Sequence, residues 1–197
     1  MSNLVVVFPG IGYTSDRPLL YYARKVAEKY GYDECRILEY NFSYKGDLRR
    51  DKETYRRACN RVCKSTDESL AGTDWIKYDK ILFISKSLGT IAAASYENGL
   101  KKIYNKEVSE YALPPIKHIF FTPLEQTFKN PVQNAIGFIG TADNWSKLDR
   151  IIRAANKQYI PISVYERANH SLETGDMNED LDNLKDIMAV CEGYLKS

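Results

Sequence analysis

The sequence predicts an α/β protein: a three-layer sandwich with a mostly parallel, six-stranded sheet between two layers of helices. Three observations predict it. Short apolar runs alternate six times with stretches of helical periodicity along the 197 residues. Several of the apolar runs are continuous rather than alternating, as strands covered on both faces must be. The notable polar or conformationally special residues all follow strands: the Gly10–Gly12 loop, Ser87, Asp143 and His170. In such sheets ligands collect beyond the carboxyl ends of the strands.

Taken in order, Leu4–Phe8 is the first strand, broken by Pro9-Gly10-Ile11-Gly12. Asp16 is placed to cap a helix from Arg17, with Pro18 in its first turn. Leu20, Ala23, Val26 and Ala27 recur at helical spacing, and Gly31 stops the helix. Cys35–Tyr40 reads as the second strand. From Asp47 to about Leu70 the pattern is helical, with Leu48, Tyr55, Ala58, Cys59, Val62 and Cys63 on one stripe. The basic row Arg50, Arg57, Arg61 and Lys64 reads as a solvated face. Lys80–Ile84 is the third strand, followed at once by a helix from Leu88 to about Tyr104. Ile116–Phe121 and Ala135–Ile139 are the fourth and fifth strands, and Leu148, Ile151, Ile152 and Ala155 mark a short helix. Tyr159–Tyr165 is the sixth strand. A last helix from about Asn178 to Leu195 turns Leu181, Leu184, Ile187, Met188 and Cys191 inward.

No repeat or low-complexity linker interrupts this series, so one domain over residues 1–197 is expected. A formal net charge of +2 points to neither nucleic acid nor a membrane surface as partner. No run approaches a membrane span, and Met1–Val7 is too short for a signal peptide. Four scattered cysteines without a CxxC pair and two histidines give no zinc signature. The expectation is a reduced, cytoplasmic protein without a cofactor, acting on a small molecule. Nothing in the sequence signals an oligomeric state.

The sharpest local signal is Ser85-Lys86-Ser87-Leu88-Gly89, at the corner between the third strand and its helix. A sharp strand-to-helix turn needs small residues two before and two after its centre, and it leaves the central hydroxyl exposed. A serine hydroxyl becomes nucleophilic only when a base takes its proton. Histidine suits that role, with an ordinary pKa near about 6.5. A carboxylate on the other ring nitrogen fixes the tautomer. The chain supplies these groups in the order Ser87, Asp143, His170, each just after a strand.

On Ser85-Lys86-Ser87-Leu88-Gly89, Gly140-Thr141-Ala142-Asp143 and Asn169-His170-Ser171-Leu172-Glu173, the whole chain resembles a small member of the α/β-hydrolase superfamily, without a lid domain and near dienelactone-hydrolase-like and esterase-like enzymes. The resemblance implies Ser87 as nucleophile, His170 as base and Asp143 as orienting acid. It implies an oxyanion hole from the Leu88 N–H plus one donor in the loop after the first strand, Ile11 first and Gly12 second. Tyr13, Trp145 and Ser171 are expected to line the substrate pocket. Only Thr122–Asn134 and a strand separate the fourth strand from Asp143, too little chain for a helical lid, which implies an open, shallow site.

Each assignment has a plainer alternative. Ser87 and Asp143 could be ordinary helix caps. Asp149 and Asp176 are alternative acids, but neither directly follows a strand. His118 lies inside a strand and reads as structural. Lys86 reads as a bystander, because adjacent residues at such a turn point apart and a Ser–Lys dyad is excluded. The Gly10-x-Gly12 pair with Glu39 suggests a dinucleotide-binding fold instead, but the third glycine position is Ser15 and the helix begins late. A hydrolase-like fold used only for binding is the remaining rival.

Overall fold

Six parallel strands set the frame: β1 (Ser2–Phe8), β2 (Glu34–Ile37), β3 (Tyr78–Lys86), β4 (Ile116–Phe121), β5 (Ala135–Gly140) and β6 (Ile162–Tyr165). They pair in the order β2-β1-β3-β4-β5-β6, and every pairing is parallel. The computed structural model describes residues 2–40, 48–104 and 111–196. The helices are α1 (Pro18–Lys29), α2 (Lys52–Leu70), α3 (Leu88–Ile103), α4 (Leu148–Asn156) and α5 (Met177–Lys196).

Alternate residues of β1 divide the core. Leu4, Val6 and Phe8 pack with Ala58 and Val62 of α2 and Ala92 and Ala93 of α3. Val5 and Val7 pack with Leu20 and Ala23 of α1 and Ile187 and Cys191 of α5. Ile151 and Ala155 of α4 join Ala94 of α3 against Phe120 and Ile139. Both faces of the sheet are therefore covered, which is why its central strands are apolar throughout. The three-layer, parallel, six-stranded architecture expected from the sequence is the one observed.

Several boundaries differ for physical reasons. β2 ends at Ile37, although the Leu38 N–H still donates to the Val7 carbonyl at 3.0 Å. β6 starts at Ile162 rather than Tyr159, because Tyr159 sits at φ +58 and is 94% exposed, and Pro161 follows. Asp16 does not cap α1: its carboxylate reaches Arg24 at 3.7 Å, and the helix takes Arg17 as N-cap with Pro18 next. The Leu19 N–H is satisfied instead by the Tyr13 hydroxyl, at 3.2 Å. α2 starts at Lys52, with the Asp51 carboxylate accepting the Glu53 N–H at 3.0 Å; Asp47 lies outside the described residues. Leu181 does not face inward: it is 58% exposed and lines a surface groove with Met177 and Leu184. Among the described residues no helix is long and apolar enough to cross a membrane.

The strand order reverses direction between β1 and β3, so the crevice favoured for ligands lies beyond the carboxyl ends of those two strands. The loop Pro9–Gly12 and Ser87 both sit there.

Candidate active site

Ser87 occupies a backbone conformation that few residues adopt, φ 54 and ψ −123. Such a torsion costs on the order of 1–3 kcal/mol and persists only where the surroundings fix it. Here the Ser87 N–H donates to the Phe121 carbonyl at 3.0 Å. The Thr90 N–H and hydroxyl both donate to the Ser87 carbonyl, at 2.9 and 2.6 Å. The flanking small residues are required. A Cβ on Gly89 would lie 2.3 Å from the Phe8 carbonyl oxygen and 2.4 Å from that of Pro9. Ser85 is fully buried, and its hydroxyl turns to the Ile119 carbonyl at 3.4 Å. Ser85 thus keeps the turn small while adding one buried hydroxyl beneath it.

The partners arrive from the far strands. A Cβ on Gly140 would lie 1.9 Å from the Ala168 carbonyl oxygen, so only glycine lets the end of β5 approach the loop after β6. The Ala142 N–H donates to that same carbonyl at 3.0 Å, locking the two segments together. Asp143 and His170 are thereby set side by side. His170 Nδ1 lies 2.8 Å from Asp143 Oδ2, and His170 Nε2 lies 2.8 Å from Ser87 Oγ. With Nδ1–H given to the carboxylate, Nε2 is left to accept the Ser87 hydroxyl. The second carboxylate oxygen of Asp143 accepts the Trp145 backbone N–H at 2.8 Å. The Trp145 indole stacks on the imidazole, with centroids 5.3 Å apart and planes 25° from parallel.

The electrostatics follow from burial. The Asp143 side chain is 1% exposed and that of His170 is 17% exposed. Burial, then the nearby Lys86 cation, push the imidazole down to about 4, against the opposing pull of Asp143. At neutral pH the ring is therefore a neutral acceptor for a hydroxyl proton.

Of the other expected site residues, Leu88 opens α3 directly after Ser87, with its side chain in the core. Gly10 lies against the elbow: a Cβ there would lie 3.2 Å from Ser87 Cβ. Ile11 packs against the cluster that holds Leu88 and Trp145. Gly12, at φ +73, lines a cavity of about 270 Å³ with Thr14 and the segment 37–40. Trp145 borders a cleft of about 510 Å³ with Leu48, Tyr55 and Gln126. Tyr13 and Ser171 instead line a different, apolar groove of about 280 Å³ with Leu19 and Leu172. The alternative acids are placed elsewhere. Asp149 pairs with Arg153 on α4 at 3.5 Å, and Asp176 accepts the Glu179 N–H at 3.0 Å at the start of α5. His118 is fully buried on Glu97, at 3.0 Å, as its structural reading requires.

Lys86 is the residue the sequence reading misjudged. It is no bystander: its side chain is buried, and its ammonium donates to Thr122 Oγ1 at 2.5 Å and to the His170 carbonyl at 2.6 Å. Neither of these two partners is Ser87, in keeping with the exclusion of a Ser–Lys pair. The available signal was a lysine just past the buried run Ile81–Ser85, where a charge needs a partner.

The dinucleotide alternative fits poorly. Sheets of that class run 3-2-1-4-5-6, whereas this one runs β2-β1-β3-β4-β5-β6, and Gly10 packs against Ser87. No protein-family model and no curated protein matches this chain. Solved structures do. A serine hydrolase homologue from Coxiella burnetii is 14% identical, with 98% of this chain and 84% of that one covered at a TM-score of 0.60. A serine hydrolase without a lid from Xanthomonas campestris is 11% identical over 98% and 81% of the two chains, at 0.58. An esterase from Pyrococcus furiosus is 12% identical over 99% and 82%, at 0.62. At these identities the likeness defines the fold: this chain has the α/β-hydrolase fold, in the compact form that the lid-less neighbour shares.

Proposed function

We propose that this protein is a serine hydrolase that cleaves a small acyl ester, or a related acyl compound, through an acyl-enzyme. The observation that carries the reading is the continuous chain Ser87 Oγ, His170 Nε2, His170 Nδ1, Asp143 Oδ2, with 2.8 Å at both contacts.

In the first half-reaction Ser87 Oγ attacks the acyl carbon while its proton passes to His170 Nε2. Asp143 stabilises the imidazolium so formed and holds the ring in register. The tetrahedral intermediate collapses as Nε2 returns the proton to the departing alkoxide. Water then attacks the acyl-serine, again losing its proton to Nε2, and Ser87 is regenerated with release of the acid. The oxyanion is assigned to the Leu88 N–H and a donor of the Gly10–Gly12 loop, with Ile11 the first choice. Each such donor is worth about 2.7–4 kcal/mol in the transition state.

The cleft beside Trp145 is the place assigned to the substituent on the acyl carbon. Arg49, Lys52, Glu125 and Arg150 are among its lining residues, so a long alkyl chain would lie against charge. Short acyl groups are favoured for that reason. The test is pre-steady-state hydrolysis of p-nitrophenyl acetate. A burst of p-nitrophenol equal to the enzyme concentration, absent in Ser87→Ala, is expected. Hydrolysis unaltered in Ser87→Ala would remove the proposal.

A further inference from the structure

Lys86 is among the largest fully buried side chains of the protein. Taking a lysine out of water carries a penalty of several kcal/mol even after relaxation, which an apolar side chain would avoid. What the charge holds is specific. Its two oxygen partners are the Thr122 hydroxyl, at the end of β4, and the main-chain carbonyl of His170 itself. The ammonium also lies 5.0 Å from the centre of the Tyr13 ring, on the loop after β1. One ammonium thus joins the ends of β1, β3 and β4 to the loop that delivers the imidazole. Thr122 sits at φ 43, a torsion rarely adopted by a β-branched residue. The Thr122 N–H is fixed on the Phe138 carbonyl at 2.8 Å, so the hydroxyl is presented to the ammonium by a constrained backbone.

We propose that Lys86 is a positioning residue of the hydrolytic centre: its ammonium ties the His170 carbonyl to Thr122 and so holds the imidazole on Ser87. The inference rests on the serine-hydrolase reading above and goes beyond it. The titratable groups that face Lys86 are His170, Asp143, Glu173 and the Tyr13 phenol. Burial pulls the lysine down to about 7, while Asp143 and Glu173 act to raise it. The Lys86 cation in turn disfavours a second positive charge on His170. Burial pushes the Tyr13 phenol up to about 12, so it stays neutral beside the lysine at neutral pH.

Lys86→Met keeps an unbranched side chain, one atom shorter, and removes the charge and the donors. The measurement is the second-order rate of Ser87 labelling by a fluorophosphonate between pH 3 and pH 7, below the value of about 7 at which Lys86 loses its charge. In the variant the plateau rate is expected to fall at least about 10-fold. The acid-side midpoint should rise, because the Lys86 cation that helps to lower it is gone while burial still acts. A side chain that only filled space would lower the plateau without moving the midpoint. An unmoved midpoint, or a plateau within about twofold of wild type, overturns the proposal. Failure of the wild-type protein to label would instead overturn the hydrolase reading. Should Lys86→Met not fold, Thr122→Ala must slow labelling at least about threefold and Thr122→Ser must restore it. Equal rates in those two variants overturn the proposal in the same way.

Discussion

His170 Nε2 lies 2.8 Å from Ser87 Oγ although 83 residues separate them in the chain. The contact is built by backbone closeness at two glycines. Gly89 lets the elbow fold onto the end of β1, and Gly140 lets the end of β5 meet the segment that leads to His170. If the hydrogen-bonded chain is the reaction path, its members act as a unit. Ser87→Ala and His170→Ala should each lower turnover by about 10⁶, and the double variant should be little worse. Asp143→Asn should lower it by about 10⁴, by stabilising the wrong tautomer. Steady-state kinetics on one p-nitrophenyl ester check all four variants.

The elbow geometry makes a separate prediction about stability. Gly89→Ala places a methyl 2.3 Å from one backbone oxygen and 2.4 Å from another. Chemical denaturation should show a loss of about 3 kcal/mol or more, or no folded protein at all. Gly99→Ala, in the same helix with open space around it, should stabilise by about 0.5–1 kcal/mol.

The parallel sheet and its helices were legible because apolar runs of strand length and stretches of 3.6 periodicity are local signals. β4 (Ile116–Phe121) was readable to the residue, closed as it is by Pro114-Pro115 and Thr122-Pro123. The three residues Ser87, Asp143 and His170 were legible because each follows a strand. What was not legible depended on contacts made across the fold. The ammonium of Lys86 finds its partners on β4 and on the His170 loop, distant in sequence, and a local rule about neighbouring side chains misjudged it. The start of α1 was misread for the same reason, because a Tyr13 hydroxyl does what Asp16 was expected to do.

Linkage gives Lys86 a signature in stability as well. The unfolded chain holds this lysine near its ordinary value of 10.5, and the folded chain near about 7. Between those values the unfolded state carries the extra proton, so stability rises with pH, by at most about 1.4 kcal/mol per pH unit. Groups whose folded values are raised, such as the buried Cys191 thiol, act in the opposite direction at alkaline pH. The informative quantity is therefore wild type minus Lys86→Met. That difference in unfolding free energy should grow by about 2–3 kcal/mol from pH 7 to pH 9.5 in urea titrations.

Substrate preference follows from the cleft beside Trp145. Across p-nitrophenyl esters of increasing chain length, kcat/KM should be highest for acetate or butyrate. It should be at least about tenfold lower for laurate, where the chain must lie near Lys52, Glu125 and Arg150.

The central claim is that Ser87 is the nucleophile, activated by His170. Intact-mass analysis after reaction with a fluorophosphonate tests it most directly. One phosphonyl adduct per chain, mapped to the peptide containing Ser87 and lost in both Ser87→Ala and His170→Ala, is the result predicted. A folded wild-type protein that takes up no adduct, or one whose adduct persists in Ser87→Ala, would contradict it.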